Sequence, residues 1–157
     1  MKLKLIYIGK TSKSFLVEGE QEYLKRLKHY LALECIEIPD IKNQKSLTHE
    51  EIKKAEGEKI LPYIENEELV YLLDDKGKQF TSKEFAAFIT KNQIYSSKTL
   101  IFLVGGAFGF SKQVYDVAKG KISLSSLTFS HQMVRMIFLE QLYRAMTIIK
   151  NEKYHHE

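Results

Sequence analysis

The residues most informative about the architecture are Leu100-Ile-Phe-Leu-Val104, which run directly into Gly105-Gly-Ala-Phe-Gly109. Five consecutive apolar residues predict a buried strand. The glycines behind it leave backbone N–H and C=O groups uncovered at the carboxyl end of that strand, where open α/β sheets bind ligands. A tight turn between a strand and a helix needs the same residues, so this loop alone does not predict a binding site.

A second loop of small residues follows, from Ser123 to Ser130, and leads into a long apolar segment from His131 to Lys150. Two such loops in succession predict a pocket lined by backbone groups, which suits an adenosine-type cofactor and needs no metal. Most positions between Gln132 and Lys150 are apolar, so this helix is expected to be buried on two sides. We expect a partner chain to cover the second side in a homodimer; the alternative is a central helix covered by its own chain.

Strand and helix patterns alternate along the rest of the chain. The predicted strands are Lys2 to Ile8, Glu34 to Ile38, Leu69 to Leu73 and Leu100 to Val104, with a fifth strand or extended segment from Ile122 to Leu127. The predicted helices run from Ser12 or Ser14 to about Leu31, from Thr48 to about Tyr63, from Ser82 onward, from Ser111 to Ala118 and from His131 to about Lys150. A turn is expected from Asp74 to Lys78. The alternation predicts an α/β fold, a mostly parallel sheet with helices on both faces, in a single domain over residues 1–157.

The composition is that of an ordinary globular protein, with 44% of the 157 residues apolar and 28% charged. Lysine and arginine number 24 against 20 acidic residues, a net charge of +4. This charge permits an RNA partner but is low for a protein that holds duplex nucleic acid by charge alone. No apolar run approaches the roughly 20 residues that span a bilayer, so we expect no membrane partner and a cytoplasmic location. The single Cys35 agrees with a reducing compartment.

The sequence argues against three other kinds of site. The pair His155-His156 lacks a third ligand at zinc spacing, so no metal site is expected. The glycines after Val104 lack the Gly-Lys-Ser/Thr ending of a phosphate-binding loop. No Gly-x-Ser-x-Gly elbow is present, so a serine hydrolase is not expected.

A set of motifs in a fixed order is much more specific than either loop alone. They are Leu73-Asp-Asp-Lys-Gly77-Lys, Val104-Gly-Gly-Ala-Phe-Gly109, Leu124-Ser-Ser-Leu-Thr-Phe-Ser-His131, Val134-Arg135, Glu140-Gln-Leu-Tyr-Arg144-Ala and the ending Tyr154-His155. With the opening Met1-Lys and Gly9-Lys10, they make the whole chain resemble the family of ribosomal RNA large subunit methyltransferase H, within the SPOUT methyltransferases. That family usually has a proline where this chain has Ser130, but serine is a good helix N-cap and can preserve the turn.

The resemblance implies a deep trefoil knot near the C-terminal end of the fold, and a homodimer. It implies S-adenosyl-L-methionine as the cofactor. The implied reaction is methylation of N3 of a pseudouridine in a hairpin of large-subunit (23S) ribosomal RNA, on assembled ribosomes. By matching motifs, the residues expected to bind the cofactor are Leu73, Gly105, Leu124, Ser125, Ser126, Leu127, Thr128 and Phe129.

The residues expected to be catalytic are Arg144, Tyr154 and His155. The N3 proton must leave, because a neutral imide nitrogen is a poor nucleophile. A cation beside the base favours the anion, and a neutral histidine or a tyrosinate can accept the proton. In a plainer interpretation, Arg144 only pairs with Glu140 and the tail only packs on the helix. Two other functions stay open: a SPOUT enzyme acting on another RNA such as tRNA, and a non-catalytic ribosome-binding or nucleotide-binding protein.

Overall fold

The computed structural model describes residues 2–94 and 96–156. Met1, Tyr95 and Glu157 lie outside the described residues, and with them the first residue of the family pattern and the last residue of the tail. Strands and helices alternate along the chain, as the sequence predicted. They are β1 (Lys2–Ile8), α1 (Ser14–Leu27), β2 (Ala32–Ile38), α2 (His49–Ile64), β3 (Leu69–Gln79), α3 (Ser82–Ile94), β4 (Leu100–Val104), α4 (Lys112–Val117), β5 (Gly120–Ser123) and α5 (Met133–Ile149), with one 3₁₀ turn at Gln44–Ser46.

The five strands form one parallel sheet in the order β2-β1-β4-β3-β5. β4 is the central strand, and each of its residues is at most 2% exposed. Side chains alternate between two cores, as the pleat of a strand requires. Phe102 packs in the core that contains Phe138 of α5, whereas Leu103 packs in the core that contains Ile60 of α2 and Val114 of α4. The predicted α/β fold with helices on both faces of a parallel sheet is confirmed.

β3 is longer than predicted, and the turn from Asp74 to Lys78 does not end the strand. Leu73 pairs with Ile122 of β5, and after a shift in register Lys78 pairs with Ile122 as well. The residues between these two pairings therefore bulge out of the sheet. Gly77 is needed in this bulge, because a Cβ atom on it would lie 2.6 Å from the backbone nitrogen of Ile122.

The ends of α1 differ from the sequence prediction. Its N-cap is Lys13, which makes no side-chain capping bond, instead of Ser12 or Ser14. The helix ends at Leu27 rather than near Leu31, because the chain turns there into β2, which begins earlier than its alternating pattern indicated.

Side-chain hydroxyl groups cap α3 and the turn that leads into α5. Thr81, not Ser82, caps α3: its Oγ1 accepts from the Glu84 N–H at 3.2 Å, and the Glu84 carboxylate accepts from the Thr81 N–H at 2.7 Å. Ser130 accepts from the N–H of Met133 at 3.1 Å, so serine caps this turn in place of proline, as predicted. The regular part of α5 begins at Met133, two residues later than predicted.

A buried arginine fixes α5 to the sheet. Arg135 is 1% exposed, and its guanidinium donates to the carbonyl oxygens of Ile8 at 2.6 Å and Gly9 at 2.9 Å. It also donates to Thr11 Oγ1 at 3.0 Å and lies over the ring of Tyr7, 4.4 Å from its centroid. These partners lie at or just beyond the carboxyl end of β1, so the first turns of α5 are held where the strands end.

Replacing Arg135 with alanine is expected to lower the free energy of unfolding by about 3 kcal/mol, because buried acceptors lose their donor and a cavity opens beside Tyr7. Urea denaturation measures this change. The control is Lys28→Ala, at an exposed residue just after α1, which should alter the free energy of unfolding by less than about 0.5 kcal/mol. Equally small effects of the two substitutions would show that Arg135 does not hold α5 in place.

Candidate functional site: a cleft at the carboxyl edge of the sheet

A cleft of about 570 Å³ opens at the carboxyl ends of β3, β4 and β5. All five strands are parallel, so the loops that follow them meet at this edge. The walls are the bulge after Leu73, the glycine loop (residues 105–109), the serine loop (residues 124–130), His131 just before α5 and Val134 in the first turn of α5. The volume lies within the range typical of small-molecule sites.

Most of the residues predicted to bind a cofactor line this cleft. They are Leu73, Gly105, Leu124, Ser125, Leu127, Thr128 and Phe129. Ser126 is not among the lining residues, and its hydroxyl instead accepts a hydrogen bond from Gln79 Nε2 at 3.0 Å. The sheet thus brings together residues from three separate loops, while their role in binding stays a prediction.

The serine loop is shaped by its own hydroxyl groups. Ser123 Oγ donates to the carbonyl oxygen of Ser125 at 2.7 Å, and Ser125 Oγ accepts from the Leu127 N–H at 2.9 Å. Because these bonds turn the chain directly after β5, the segment from Leu124 to Leu127 is irregular and not part of a strand. The side chain of Leu127 is left 74% exposed.

Close packing by neighbouring side chains explains why the loop after β4 contains glycines. A Cβ atom on Gly105 would lie 3.1 Å from the ring of Phe110, and one on Gly106 would lie 2.4 Å from the Glu56 carboxyl group. Gly109 has a φ of +85°, which favours glycine, and its N–H donates to the Gly106 carbonyl at 3.2 Å. These glycines are therefore needed for the packing of the loop itself as well as for the approach of a ligand.

Two ionisable groups of the cleft were not singled out from the sequence. Asp74 accepts hydrogen bonds from the Lys76 N–H at 2.8 Å and from the Tyr115 hydroxyl. Burial alone raises the pKa of Asp74, but these hydrogen bonds hold it below its ordinary value, so the carboxylate is ionised at neutral pH. His131 has a lowered pKa, because it is partly buried and lies near Arg135, and its ring is therefore neutral. The sequence signals for Asp74 were its place directly after a predicted strand and its place in the motif Leu73-Asp-Asp-Lys-Gly77-Lys.

An aromatic pair stands at the rim of the cleft. Phe108 of the glycine loop is 39% exposed and stacks on His49 at the start of α2. The ring centroids are 3.8 Å apart, and the planes are 18° from parallel. Neither ring is part of the two cores described above. Stacked rings in such a position suit contact with another planar group, such as a nucleobase.

The predicted catalytic residues meet in a second group, the tail cluster (Glu140, Arg144, Tyr154 and His155). Arg144 Nη2 pairs with Glu140 Oε1 at 2.7 Å, and Arg144 Nη1 lies 3.2 Å from His155 Nδ1. The Tyr154 hydroxyl donates to Glu140 at 3.1 Å, and the guanidinium lies 4.7 Å from the centroid of the tyrosine ring. The plainer contacts are also present, since Arg144 does pair with Glu140 and the tail does pack on α5.

The phenol of Tyr154 is a hydrogen-bond donor at neutral pH. Burial, with hydrogen bonds to Tyr23 and Glu140, raises the pKa of Tyr154 to about 12. A tyrosinate would therefore be costly to form here. Of the two proton acceptors considered from the sequence, His155 is the better suited.

The tail cluster and the cleft lie apart in a single chain. α5 contributes residues up to Val134 to the cleft, and Arg144 follows ten residues later, about 15 Å further along the helix axis. Arg144, Tyr154 and His155 are not among the described residues that line the cleft. The predicted cofactor site and the predicted catalytic residues are thus separated within one protomer.

The family motifs extend to a match over almost the whole chain. Residues 1–155 match the family described as "Predicted SPOUT methyltransferase". The chain belongs to the SPOUT methyltransferases. It is 52% identical over 157 residues to the ribosomal RNA large subunit methyltransferase H of Parabacteroides distasonis, with both chains covered in full. It is 53% identical over 156 residues to the protein of the same name from Cytophaga hutchinsonii, over 99% of this chain and 100% of that relative. The resemblance seen in the motifs is confirmed.

Solved structures share the fold of this SPOUT methyltransferase. A probable methylase family protein from Haemophilus influenzae Rd KW20 has a TM-score of 0.58 at 11% identity, over 99% of this chain and 70% of that one. A probable methyltransferase from Bordetella pertussis Tohama I has a TM-score of 0.55 at 9% identity, over 92% and 94% of the two chains. At these identities the likeness concerns the fold alone. The predicted trefoil knot is consistent with this shared fold and stays a prediction.

None of the helices in residues 2–94 and 96–156 combines the length and the apolar character needed to cross a membrane. The same residues include no group of three or more His, Cys, Asp or Glu side chains that could hold a metal ion.

Thr128→Trp is expected to weaken S-adenosyl-L-methionine binding at least about tenfold, because an indole at this exposed position fills the cleft without disturbing a core. Isothermal titration calorimetry measures the affinity. Ser126→Trp is the matched control: it lies on the same loop and is exposed, but it does not line the cleft. Equal losses in the two variants would contradict the assignment of this cleft as the cofactor site.

Proposed function

We propose that this SPOUT methyltransferase transfers a methyl group from S-adenosyl-L-methionine to N3 of a pseudouridine in a hairpin of 23S ribosomal RNA, on the assembled ribosome. The observation that carries the proposal is 52% identity over the full chain to a protein named ribosomal RNA large subunit methyltransferase H. The exact target atom comes from the family resemblance in the motifs. A ribosomal substrate also supports a cytoplasmic location.

The cleft fits S-adenosyl-L-methionine in its size and in the groups that it presents. Backbone N–H and C=O groups of the glycine and serine loops can read the edge of the adenine, and the side chains of Leu73 and Phe129 can pack on its faces. The ionised Asp74 suits the hydroxyl or ammonium donors of the cofactor. When bound, the cofactor supplies a methyl group already activated by the positive sulfonium. The protein therefore has chiefly to hold and orient the two reactants.

The tail cluster can prepare the nitrogen of the target base. The guanidinium of Arg144 stabilises the imide anion that forms when N3 loses its proton. The imidazole of His155, 3.2 Å from that guanidinium, can accept the proton. Glu140 holds Arg144 at 2.7 Å and accepts from Tyr154 at 3.1 Å, so the cluster has a fixed geometry before the base arrives.

A homodimer accounts for the distance between the cleft and the tail cluster. In a two-fold dimer built on α5, the tail cluster of one protomer can lie at the cleft of the other, although about 15 Å of helix separates them within one chain. The surface supports such a contact. Leu127 is 74% exposed beside the cleft, Phe15 is 58% exposed on α1, and Met133 and Ile137 of α5 are only half-buried. Apolar groups of this kind are costly to leave in water.

Arg144→Ala and His155→Ala are each expected to lower methyl transfer by about a hundredfold, the usual scale for losing a positioned acid–base or charged group. Their affinity for S-adenosyl-L-methionine should change much less than methyl transfer, because neither residue lines the cleft of its own chain and the residues that do are left in place. Transfer of labelled methyl groups to ribosomes from a deletion strain measures the effect. His156→Ala, at the exposed neighbouring residue, is the control. Full activity of both variants would reduce the tail cluster to a packing contact.

Mixing two impaired variants, at a concentration of S-adenosyl-L-methionine too low to saturate Thr128→Trp, tests the shared site directly. Arg144→Ala keeps the cleft intact, and Thr128→Trp keeps the tail cluster intact. In a mixed dimer one of the two sites then has both parts, so an equal mixture should recover about a quarter of the activity of the unaltered protein after subunit exchange. Sedimentation should show twice the chain mass. A monomer with full activity, or no recovery despite demonstrated exchange, would contradict the composite site.

The two alternative functions predict other outcomes of the same assays. A SPOUT enzyme for tRNA would transfer the label to tRNA and leave ribosomes unlabelled. A non-catalytic protein that uses the glycine loop as a plain turn would not bind S-adenosyl-L-methionine. Mass spectrometry of ribosomal RNA from a deletion strain, which should lack one methyl group on a pseudouridine, separates the proposed enzyme from both.

A further inference from the structure

The inward face of α2 carries an acidic residue where the pattern calls for an apolar one. Residues four apart on a helix share a face, and along α2 this face reads Ile52, Glu56, Ile60 and Ile64. The three isoleucines are at most 5% exposed, and Glu56 is buried to the same degree. A carboxylic acid thus occupies a core position of this helix.

The carboxyl group of Glu56 has little to compensate for its burial. Its Oε1 atom has no hydrogen-bond partner among the described residues. Burial raises the pKa of Glu56 to about 7, and the negative charge of Asp40 adds to the rise. Buried polar atoms are nearly always hydrogen-bonded, so this one requires an explanation beyond stability.

Glu56 lies directly behind the glycine loop. A Cβ atom on Gly106 would be 2.4 Å from Glu56 Oε2, so the carboxyl group packs against the backbone of Gly106. Gly106 also lines the cleft, which leaves the thickness of one backbone segment between the carboxyl group and the space for a ligand. Gly57 allows α2 to approach this closely, because a Cβ atom on it would lie 2.3 Å from the hydroxyl of Ser111.

We propose that Glu56 is a positioning residue that acts through Gly106: it places a negative charge behind the glycine loop and so makes the cleft prefer S-adenosyl-L-methionine over its product, S-adenosyl-L-homocysteine. This inference rests on the proposed function. Methyl transfer converts a positive sulfonium into a neutral thioether, and the rest of the two ligands is the same. A fixed negative charge near the cleft therefore favours the methyl donor and disfavours the spent product.

The cations nearest to Glu56 along the chain and on α4 are bound to other groups, so Glu56 can still ionise when a positively charged ligand binds. The charged groups on neighbouring elements are Asp40 after β2, Lys59 on α2 itself, and Lys112 and Asp116 on α4, while His131 before α5 and Arg135 of α5 lie near Asp40. Lys59 donates to the backbone carbonyl oxygens of Pro39 and Asp40, at 3.3 and 3.4 Å, and Lys112 pairs with Asp116 at 2.8 Å. Both protonation states of Glu56 are thus accessible near neutral pH, and a cationic ligand shifts the balance to the ionised state.

Calorimetry with each ligand, at about pH 6 and about pH 8, tests the proposal. The preference for S-adenosyl-L-methionine, expressed as the ratio of the two dissociation constants, should rise about fivefold between these pH values, because Glu56 ionises over this range. Ionisable groups that the two ligands share affect both dissociation constants alike, so their effect cancels in the ratio. In Glu56→Gln the ratio should not change with pH. Glu58→Gln, at an exposed acid on the same helix, is the control and should behave like the unaltered protein.

Asp40→Asn gives a second measurement that leaves Glu56 in place. Removing the neighbouring negative charge lowers the pKa of Glu56, so the rise in preference should occur at lower pH.

The melting temperature gives a third measurement. Because the folded pKa of Glu56 is above its ordinary value, the folded protein loses stability as pH rises from about 4.5 through about 7. Glu56→Gln should therefore raise the melting temperature at pH 8 much more than at pH 5.

A ratio that is equal at both pH values in the unaltered protein would overturn the inference, as would a rise that persists in Glu56→Gln. In either case the proposed function would stand, provided that the protein binds S-adenosyl-L-methionine and methylates ribosomal RNA. If the unaltered protein binds neither ligand, the proposed function itself fails, and the inference fails with it.

Discussion

The hydrogen bonds from the buried Arg135 to the end of β1 are the constraint on which the functional half of the molecule depends. They join two segments 126 and 127 residues apart in the chain and hold the start of α5 at the carboxyl edge of the sheet. There, His131 and Val134 complete one side of the cleft. The same bonds set where α5 begins, and the length of this helix then determines how far from the cleft Arg144 lies. A single buried side chain thus fixes both the cleft and its distance from the tail cluster.

The parallel sheet explains why residues from distant parts of the sequence form one site. With β4 in the centre, β3 beside it and β5 beside β3, the bulge, the glycine loop and the serine loop all emerge at one edge. The small residues of these loops are selected partly by packing, since Gly105 abuts Phe110 and Gly106 abuts Glu56. A loop whose shape is fixed by packing can present its backbone groups to a ligand without first having to be ordered.

The residues predicted to bind the cofactor and those predicted to be catalytic lie in two separate places on this SPOUT methyltransferase. Within one chain the cleft holds the ionised Asp74, and the tail cluster holds Arg144 and His155. Assembly of two protomers is the simplest way to unite them, because symmetry creates two complete sites from one interface. The buried Glu56 also relates stability to function. An acid in a core position whose Oε1 atom has no hydrogen-bond partner among the described residues lowers stability, and natural proteins commonly keep such a residue where a site needs its charge.

Much of the fold was determined by the sequence itself. Apolar patterns predicted the strands, and the five apolar residues before Gly105 indicated the central strand and the edge of the sheet where the cleft lies. Motif order identified the family and, through it, the residues predicted to bind the cofactor, the catalytic candidates and the proposed reaction. Tertiary structure decided the rest. Pairing with β5 extended β3 and put Asp74 in the cleft, and packing placed Glu56 behind Gly106 although its stripe on α2 reads as apolar. The separation of the tail cluster from the cleft also depends on how α5 docks. Local patterns record which face of an element is buried, but they do not record which distant groups will meet there, because those contacts exist only once the chain has folded.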